Sequence, residues 1–170
     1  LTAKVSHAMA DRRKIASLSE EAFGGGLLHC IGKFALLQYF PEGTAGIRAR
    51  VKKGMALDDA EREVLGTTHP EVGAYLCRFW HYPDPLVESA LYHRAPLSVL
   101  SSRPNLNPVT SMVHAACHIS NLTPGTQFQE ELKAVDEEFL SFHGLTRDYI
   151  AGILPPLSVE AHSVVASLFK

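Results

Sequence analysis

Helix start and stop signals recur along this chain at short intervals, and they constrain its fold more than any other feature. Thr68 with Glu71 fits the capping box that opens a helix, and Asp58 with Glu61 fits the same pattern. Asp84-Pro85 and Asn107-Pro108 mark two further starts, while Pro41 and Pro96 mark ends. Ser17 or Ser19 can cap a helix carrying Glu20 and Glu21 in its first turn and reaching about Tyr39. The remaining expected helices cover 3–16, 44–55, 109–122, 129–142, 146–153 and 158–169, with 95–106 read as a loop rich in Ser and Pro. No stretch alternates with period two, so the expected class is all-α, a bundle of about seven to nine helices.

The bulk properties narrow the function classes. At 170 residues one domain over 1–170 is expected, large enough to bury roughly 70% of its unfolded surface without staples. The 16 basic and 18 acidic residues leave a formal charge of −2, which offers no footprint for nucleic acid or an anionic membrane. No apolar run is expected to span a bilayer, and the longest candidate, 24–40, is broken by His29 and Lys33. The first fourteen residues are polar and basic, without the apolar middle of a signal peptide. Three widely separated cysteines make no disulfide framework and point to a reducing cytoplasm. The chain starts at Leu1 without a methionine, so it is expected to be a piece of a longer protein.

Nine histidines are the unusual feature of the composition. They concentrate, with two cysteines, in four stretches: Gly26-Leu-Leu-His-Cys-Ile-Gly-Lys33, Thr68-His-Pro-Glu-Val-Gly-Ala74, Leu91-Tyr-His-Arg-Ala-Pro96 and Val113-His-Ala-Ala-Cys-His118. Each lies on or at the end of an expected apolar helix, and helix bundles build sites from side chains on facing helices. The triplet Gly24-Gly25-Gly26 costs about 1 kcal/mol per glycine against alanine inside a helix, so a close approach must offset it.

The first stretch resembles the Leu-Leu-His-Asp-Ile-Gly-Lys signature of the HD superfamily of metal-dependent phosphohydrolases. The Phe40-Pro-Glu42 step, Thr68 to Leu76, Trp80 with Pro83, Val87-Glu88, Tyr92 to Pro96 and the helix at Val113 follow in the matching order. Together they resemble HDOD domains, the HD-related output domains of bacterial signalling proteins. The resemblance implies an HD-domain-like bundle, and many HDOD domains keep that core without a working metal centre. It also implies an additional helical portion upstream of the part matched, toward which Val5, Met9 or the C-terminal helices would turn apolar surface.

The departures carry the functional expectation. Where catalytic HD proteins place an adjacent His-Asp pair on the metal, this chain has His29-Cys30, and Cys117 aligns with the downstream aspartate. The upstream ligand histidine aligns near Lys4 or Val5, with His7 out of register. His69 matches an additional ligand position of the two-metal branch, whereas Tyr92-His93-Arg94 replaces its His-His-Glu. Holding Mg²⁺ or Mn²⁺ for phosphoester hydrolysis needs hard oxygen ligands, and the substitutions leave imidazoles and thiols. Two readings of the pocket follow. Cysteine can fill a vacated metal site as a small hydrophobe, with no metal or other cofactor bound. Alternatively, His29, Cys30 and Cys117 with His69 or His93 make a set suited to Zn²⁺, and the two thiols could instead pair as a disulfide.

The expected function is a non-catalytic regulatory output module that binds a protein partner or a neighbouring domain of the same chain. The competing class is a phosphohydrolase acting on a nucleotide or cyclic dinucleotide through an altered metal site. Other features have plainer readings. Lys33 faces an anion or an acid such as Glu71, Arg48, Arg50, Lys52 and Lys53 form a solvated face, and Trp80 and Cys77 are packing residues.

Overall fold

The computed structural model describes residues 1–12, 16–122, 124–125 and 127–168, and every regular element among them is helical. Helix α1 (Thr2–Arg12) leads through a 3-10 turn (Ala16–Leu18) to α2 (Ser19–Leu28) and α3 (Ile31–Tyr39). Then come α4 (Pro41–Lys52), α5 (Leu57–Leu65), α6 (His69–Phe79), α7 (Asp84–Tyr92) and the short α8 (Leu97–Ser101). The chain finishes with α9 (Pro108–Ile119), α10 (Phe128–Lys133), α11 (Glu137–His143) and α12 (Arg147–Leu168).

Caps that act locally form where the sequence places them. The Thr68 hydroxyl accepts from Glu71 N while the Glu71 carboxylate accepts from Thr68 N at 3.0 Å, the complete box. Asn107 Oδ1 accepts from Val109 N at 2.8 Å. The Asp58–Glu61 box does not form: α5 starts two residues earlier, behind Ala56, Asp58 pairs with Arg94, and Glu61 turns inward to His69. Nor does a serine cap α2, because Leu18 holds the cap position and the Ser19 hydroxyl donates to Asp11.

The segments outnumber the expected helices because tertiary contacts divide some of them. The helix expected to run to Tyr39 breaks at His29 and Cys30, giving α2 and α3. The span 129–142 divides into α10 and α11, with Asp136 capping the second, and α8 forms inside the expected loop. In the opposite sense, the two last expected helices join as α12 through Pro155 and Pro156. Each of those prolines removes one i→i−4 hydrogen bond without ending the helix.

The core sits where α1, α2, α7 and α9 pack on one another, with α10 to α12 covering one side. Val5, Met9, Ala22, Met112, Val113, Ile150 and Leu154 are all buried there. Val5 and Met9 therefore do not await an upstream portion, since α9 and α12 already cover α1. Ile15, expected to extend their stripe, lies outside the described residues. By length and composition α12 reaches membrane-spanning proportions over Arg147–Ser167, which corrects the expectation that no run does. In this fold it lies on α1, with Tyr149 donating to Ala8 O and Lys4 paired to Glu160. Trp80, expected as a packing plug, is 50% exposed, because it caps α6 at the surface beside Tyr82.

Two glycine contacts set the helix spacing near the N-terminus of α3. A Cβ on Gly26 would sit 2.6 Å from Ala3 Cα, and one on Gly32 would overlap His69 O and lie 2.5 Å from Gly73 N. Backbone therefore meets backbone between α3 and α6, as the glycine-rich stretch implied. Gly32→Ala is expected to cost more than about 3 kcal/mol, because main chain and not a movable side chain must give way. Gly152→Ala in α12, with open space around its Cβ, is expected to be neutral or to stabilise by up to about 1 kcal/mol. Urea denaturation midpoints of the two variants at neutral pH check both.

Candidate functional site

The turn between α2 and α3, the start of α6 and the end of α7 bring His29, Cys30, His69 and His93 together. Cys30 Sγ lies 3.8 Å from His93 Nε2, and the His93 ring is 5.0 Å from that of His29 and 5.3 Å from that of His69. Donor atoms of Cys30, His69 and His93 all fall within 4.8 Å of one another. His69 and His93 are buried, whereas Cys30 and His29 are half-buried and open toward solvent.

Each ring is held by its Nδ1. His29 Nδ1 donates to Gly26 O at 2.8 Å and His93 Nδ1 to Ala90 O at 2.9 Å. His69 Nδ1 donates to the Glu61 carboxylate at 2.8 and 2.9 Å, and His69 N donates to the same group at 2.8 Å. The proton thus sits on Nδ1 in all three rings, and Nε2 carries the lone pair. His93 Nε2 faces Cys30, whose thiol donates to it.

Burial favours the neutral forms of His93, His29 and Cys30. It depresses His93 to about 3, with the neighbouring His29 adding to the effect, and it also lowers His29. It raises the Cys30 thiol against the pull of Lys33 and Arg94. Burial likewise disfavours the Glu61 carboxylate, but the bonds from His69 and the charge of Arg94 outweigh it, so Glu61 titrates below the ordinary range.

Cys117, on α9, belongs to the same neighbourhood: burial and then Cys30 push its thiol up to about 11. It is not among the three donors within 4.8 Å, and neither is His29. All three cysteines are free thiols, so Cys30 and Cys117 form no disulfide here. Cys77 is a buried packing residue between α6 and α7. Glu71 bonds Arg62 and Thr67 in addition to its own cap, and its carboxyl falls to about 2, first through Arg62. It is therefore not the partner of Lys33.

A hard divalent ion fits this donor set poorly. Asp58 and Glu61 do group with His69, but Arg94 Nε donates to Asp58 at 3.1 Å and His69 occupies both Glu61 oxygens. What converges elsewhere is nitrogen and sulfur, which suits softer ions. By pattern alone Glu61 is a helix-cap residue, and no motif marks Asp58 or Arg94 for the site. A usable signal was present: Gly66, between Glu61 and His69, ends α5 with a left-handed φ of 73°.

A second histidine group was not anticipated. Ser111 Oγ donates to His143 Nδ1 at 3.1 Å, His143 Nε2 to His114 Nδ1 at 3.1 Å, and His114 Nε2 to Ala95 O at 2.9 Å. His118 lies nearby, its ring tilted at 46° and 4.5 Å from that of His114. His114 and His118 line a cleft of about 550 Å³ reaching Arg94, Leu122 and Phe139, beside the Cys30 cluster and not inside it.

The family profile of the HDOD domain matches residues 1–96. That span contains His29, Cys30, His69 and His93 but not Cys117 or the second histidine group. No curated protein matches the chain. Among solved structures, a provisionally named phosphohydrolase from Shewanella amazonensis SB2B is similar at 24% identity and a TM-score of 0.73, over 92% of this chain and 56% of its own. An HDOD domain protein of unknown function from Geobacter sulfurreducens is similar at 20% identity and a TM-score of 0.71, over 96% of this chain and 58% of its own. The chain spans under two thirds of either structure, and at these identities the likeness is one of fold.

The buried relay makes stability depend on pH. Burial, then the charge of His118, lowers His114 to about 4, so between roughly pH 6.5 and 4 the unfolded chain binds a proton that the folded chain refuses. Stability is complete above pH 6.5 and falls as pH drops through that window, by about 1.4 kcal/mol per unit from this group. Denaturant midpoints measured from pH 7.5 to 4 on metal-free protein should decline accordingly. The decline should be shallower in His114→Gln.

Proposed function

The chain belongs to the HDOD family, and we propose that it serves as a non-catalytic signal-transduction module, transmitting state through contacts with a protein partner or a neighbouring domain. The observation that carries this reading is the engagement of Asp58 and Glu61 by Arg94 and His69, beside a cluster otherwise made of thiol and neutral imidazole. Phosphoester hydrolysis by a divalent ion needs ligands that hold the ion and leave a position for an activated water. Freeing either carboxylate here would break a charge-assisted contact, and for Glu61 would strand a buried group.

A surface suited to contacts supports the same reading. Phe34 and Tyr39 on α3 and Tyr75 and Phe79 on α6 are exposed on two helices that pack together. Tyr75 and Phe79 stack on one another at 6.3 Å, one turn apart. Exposed aromatics in such density on a protein of −2 charge favour a protein surface as partner over nucleic acid or an anionic membrane. The cysteine usage favours a reducing, cytoplasmic setting. Relatives longer than this chain are consistent with a module that works beside other domains.

The alternative is a metal-dependent phosphohydrolase with an altered centre, favoured by the name of the Shewanella protein and by the Asp58–Glu61–His69 grouping. Turnover of a cyclic dinucleotide and of bis-p-nitrophenyl phosphate, with Mg²⁺ or Mn²⁺ supplied, separates the two. The proposal expects no rate above buffer, and a rate abolished in His69→Ala would overturn it. The double variant Cys30→Asp/Cys117→Asp, which supplies hard oxygen donors, is expected to bind Mn²⁺ at least about tenfold more tightly than the native chain. Calorimetric titration with Mn²⁺ reads that difference.

A further inference from the structure

We infer that Cys30, His69 and His93 form a zinc site in which the Cys30 thiolate and the Nε2 atoms of the two histidines bind the ion, with the fourth position left to water. The inference does not depend on the signalling reading, because a zinc ion of this kind could sit in a silent module or in an enzyme. It differs in ligand chemistry from the carboxylate-rich centre implied for catalytic HD relatives.

The geometry is close to what the metal demands. Tetrahedral Zn²⁺ with a sulfur at about 2.3 Å and a nitrogen at about 2.0 Å sets those two atoms about 3.5 Å apart. Cys30 Sγ and His93 Nε2 stand 3.8 Å apart, so a contraction of a few tenths of an ångström would complete the pair. The third donor lies within 4.8 Å of both. The half-buried side of Cys30 supplies a path for the ion.

The surroundings are those of a ligand shell. A metal-bound histidine characteristically donates its other N–H to a carboxylate or carbonyl, which fixes the tautomer and raises the basicity of the coordinating nitrogen. His69 does this to Glu61 and His93 to Ala90 O. A cysteine that merely filled a vacated pocket would need neither imidazole presented by its lone pair. Gly32 contributes as well, since its contact with the main chain of His69 and Gly73 lets α3 bring Cys30 so close to α6. Binding transfers no electrons: the thiol proton leaves to solvent, and neutral imidazoles enter as they are.

Cobalt substitution in the whole chain tests the site without reference to activity. Protein stripped with chelator and titrated with Co²⁺ should take up one equivalent, showing a thiolate-to-cobalt charge-transfer band and tetrahedral d–d bands. Zn²⁺ should abolish both, and a large excess of Mg²⁺ should not. Cys30→Ser and His93→Gln should lose the charge-transfer band or the tetrahedral spectrum respectively, whereas Cys117→Ser should keep both. Circular dichroism of the apo variants establishes that they fold. If Cys30→Ser does not, alkylation mapped by mass spectrometry on the native chain decides: Zn²⁺ should slow modification of Cys30 at least about tenfold while leaving Cys117 unchanged. Absence of the thiolate band, a band that follows Cys117, or Cys30 alkylation insensitive to Zn²⁺ would overturn the inference.

Discussion

The bond between Glu61 and His69 is the interaction on which this molecule's site is organised. A carboxylate that is 3% exposed receives both the ring N–H and the backbone N–H of one residue, at 2.8 to 2.9 Å. The desolvation of Glu61 is tolerated only because those donors replace its water. In return the bond joins α5 to the first turn of α6 and assigns the proton of His69 to Nδ1, with a His69 donor within 4.8 Å of those of Cys30 and His93. Removing Glu61 would leave the ring free to rotate and to change tautomer, with α6 losing a contact at its start.

That bond lies one layer from the backbone contact of Gly32 with His69 and Gly73, and the two constraints act together. One fixes the rotation of a side chain, and the other fixes how near α3 approaches. The turn at His29 and Cys30 follows from the same approach. A helix continuing straight from α2 into α3 could not present Gly32 to α6 while keeping α2 against α1, α7 and α9. Packing thus decides where the donors stand, and the local sequence around Cys30 only permits it.

What could be read in advance divides along this line. The Thr68 box and the Asn107 cap were legible because a cap closes within three residues, and the all-helical class followed from many such local signals. The gathering of His29, Cys30, His69 and His93 was legible only through the order of motifs, which carries a family's packing without describing it. Asp58 and Glu61 satisfied the capping pattern equally well, but a partner eight residues away offered Glu61 two donors where a cap offers one. Trp80 differs for the opposite reason: its apolar area predicts burial, and at the end of α6 it is only half covered, beside Tyr82. The Ser111–His143–His114 relay joins residues up to 32 positions apart, and no local pattern reports it.

The two histidine groups show how one residue type takes different roles under similar burial. In the relay each ring both donates and accepts, the chain ends on the Ala95 carbonyl, and the lone pairs of His114 and His143 are spoken for. In the first group the rings donate outward, to Gly26, Ala90 and Glu61, which leaves the His93 lone pair on the Cys30 thiol with a His69 donor within 4.8 Å of both. A proton on the thiol satisfies one of these imidazole nitrogens. A cation can satisfy two of them and the sulfur at once, and that difference in valence is why the first group, and not the second, is read as a metal site.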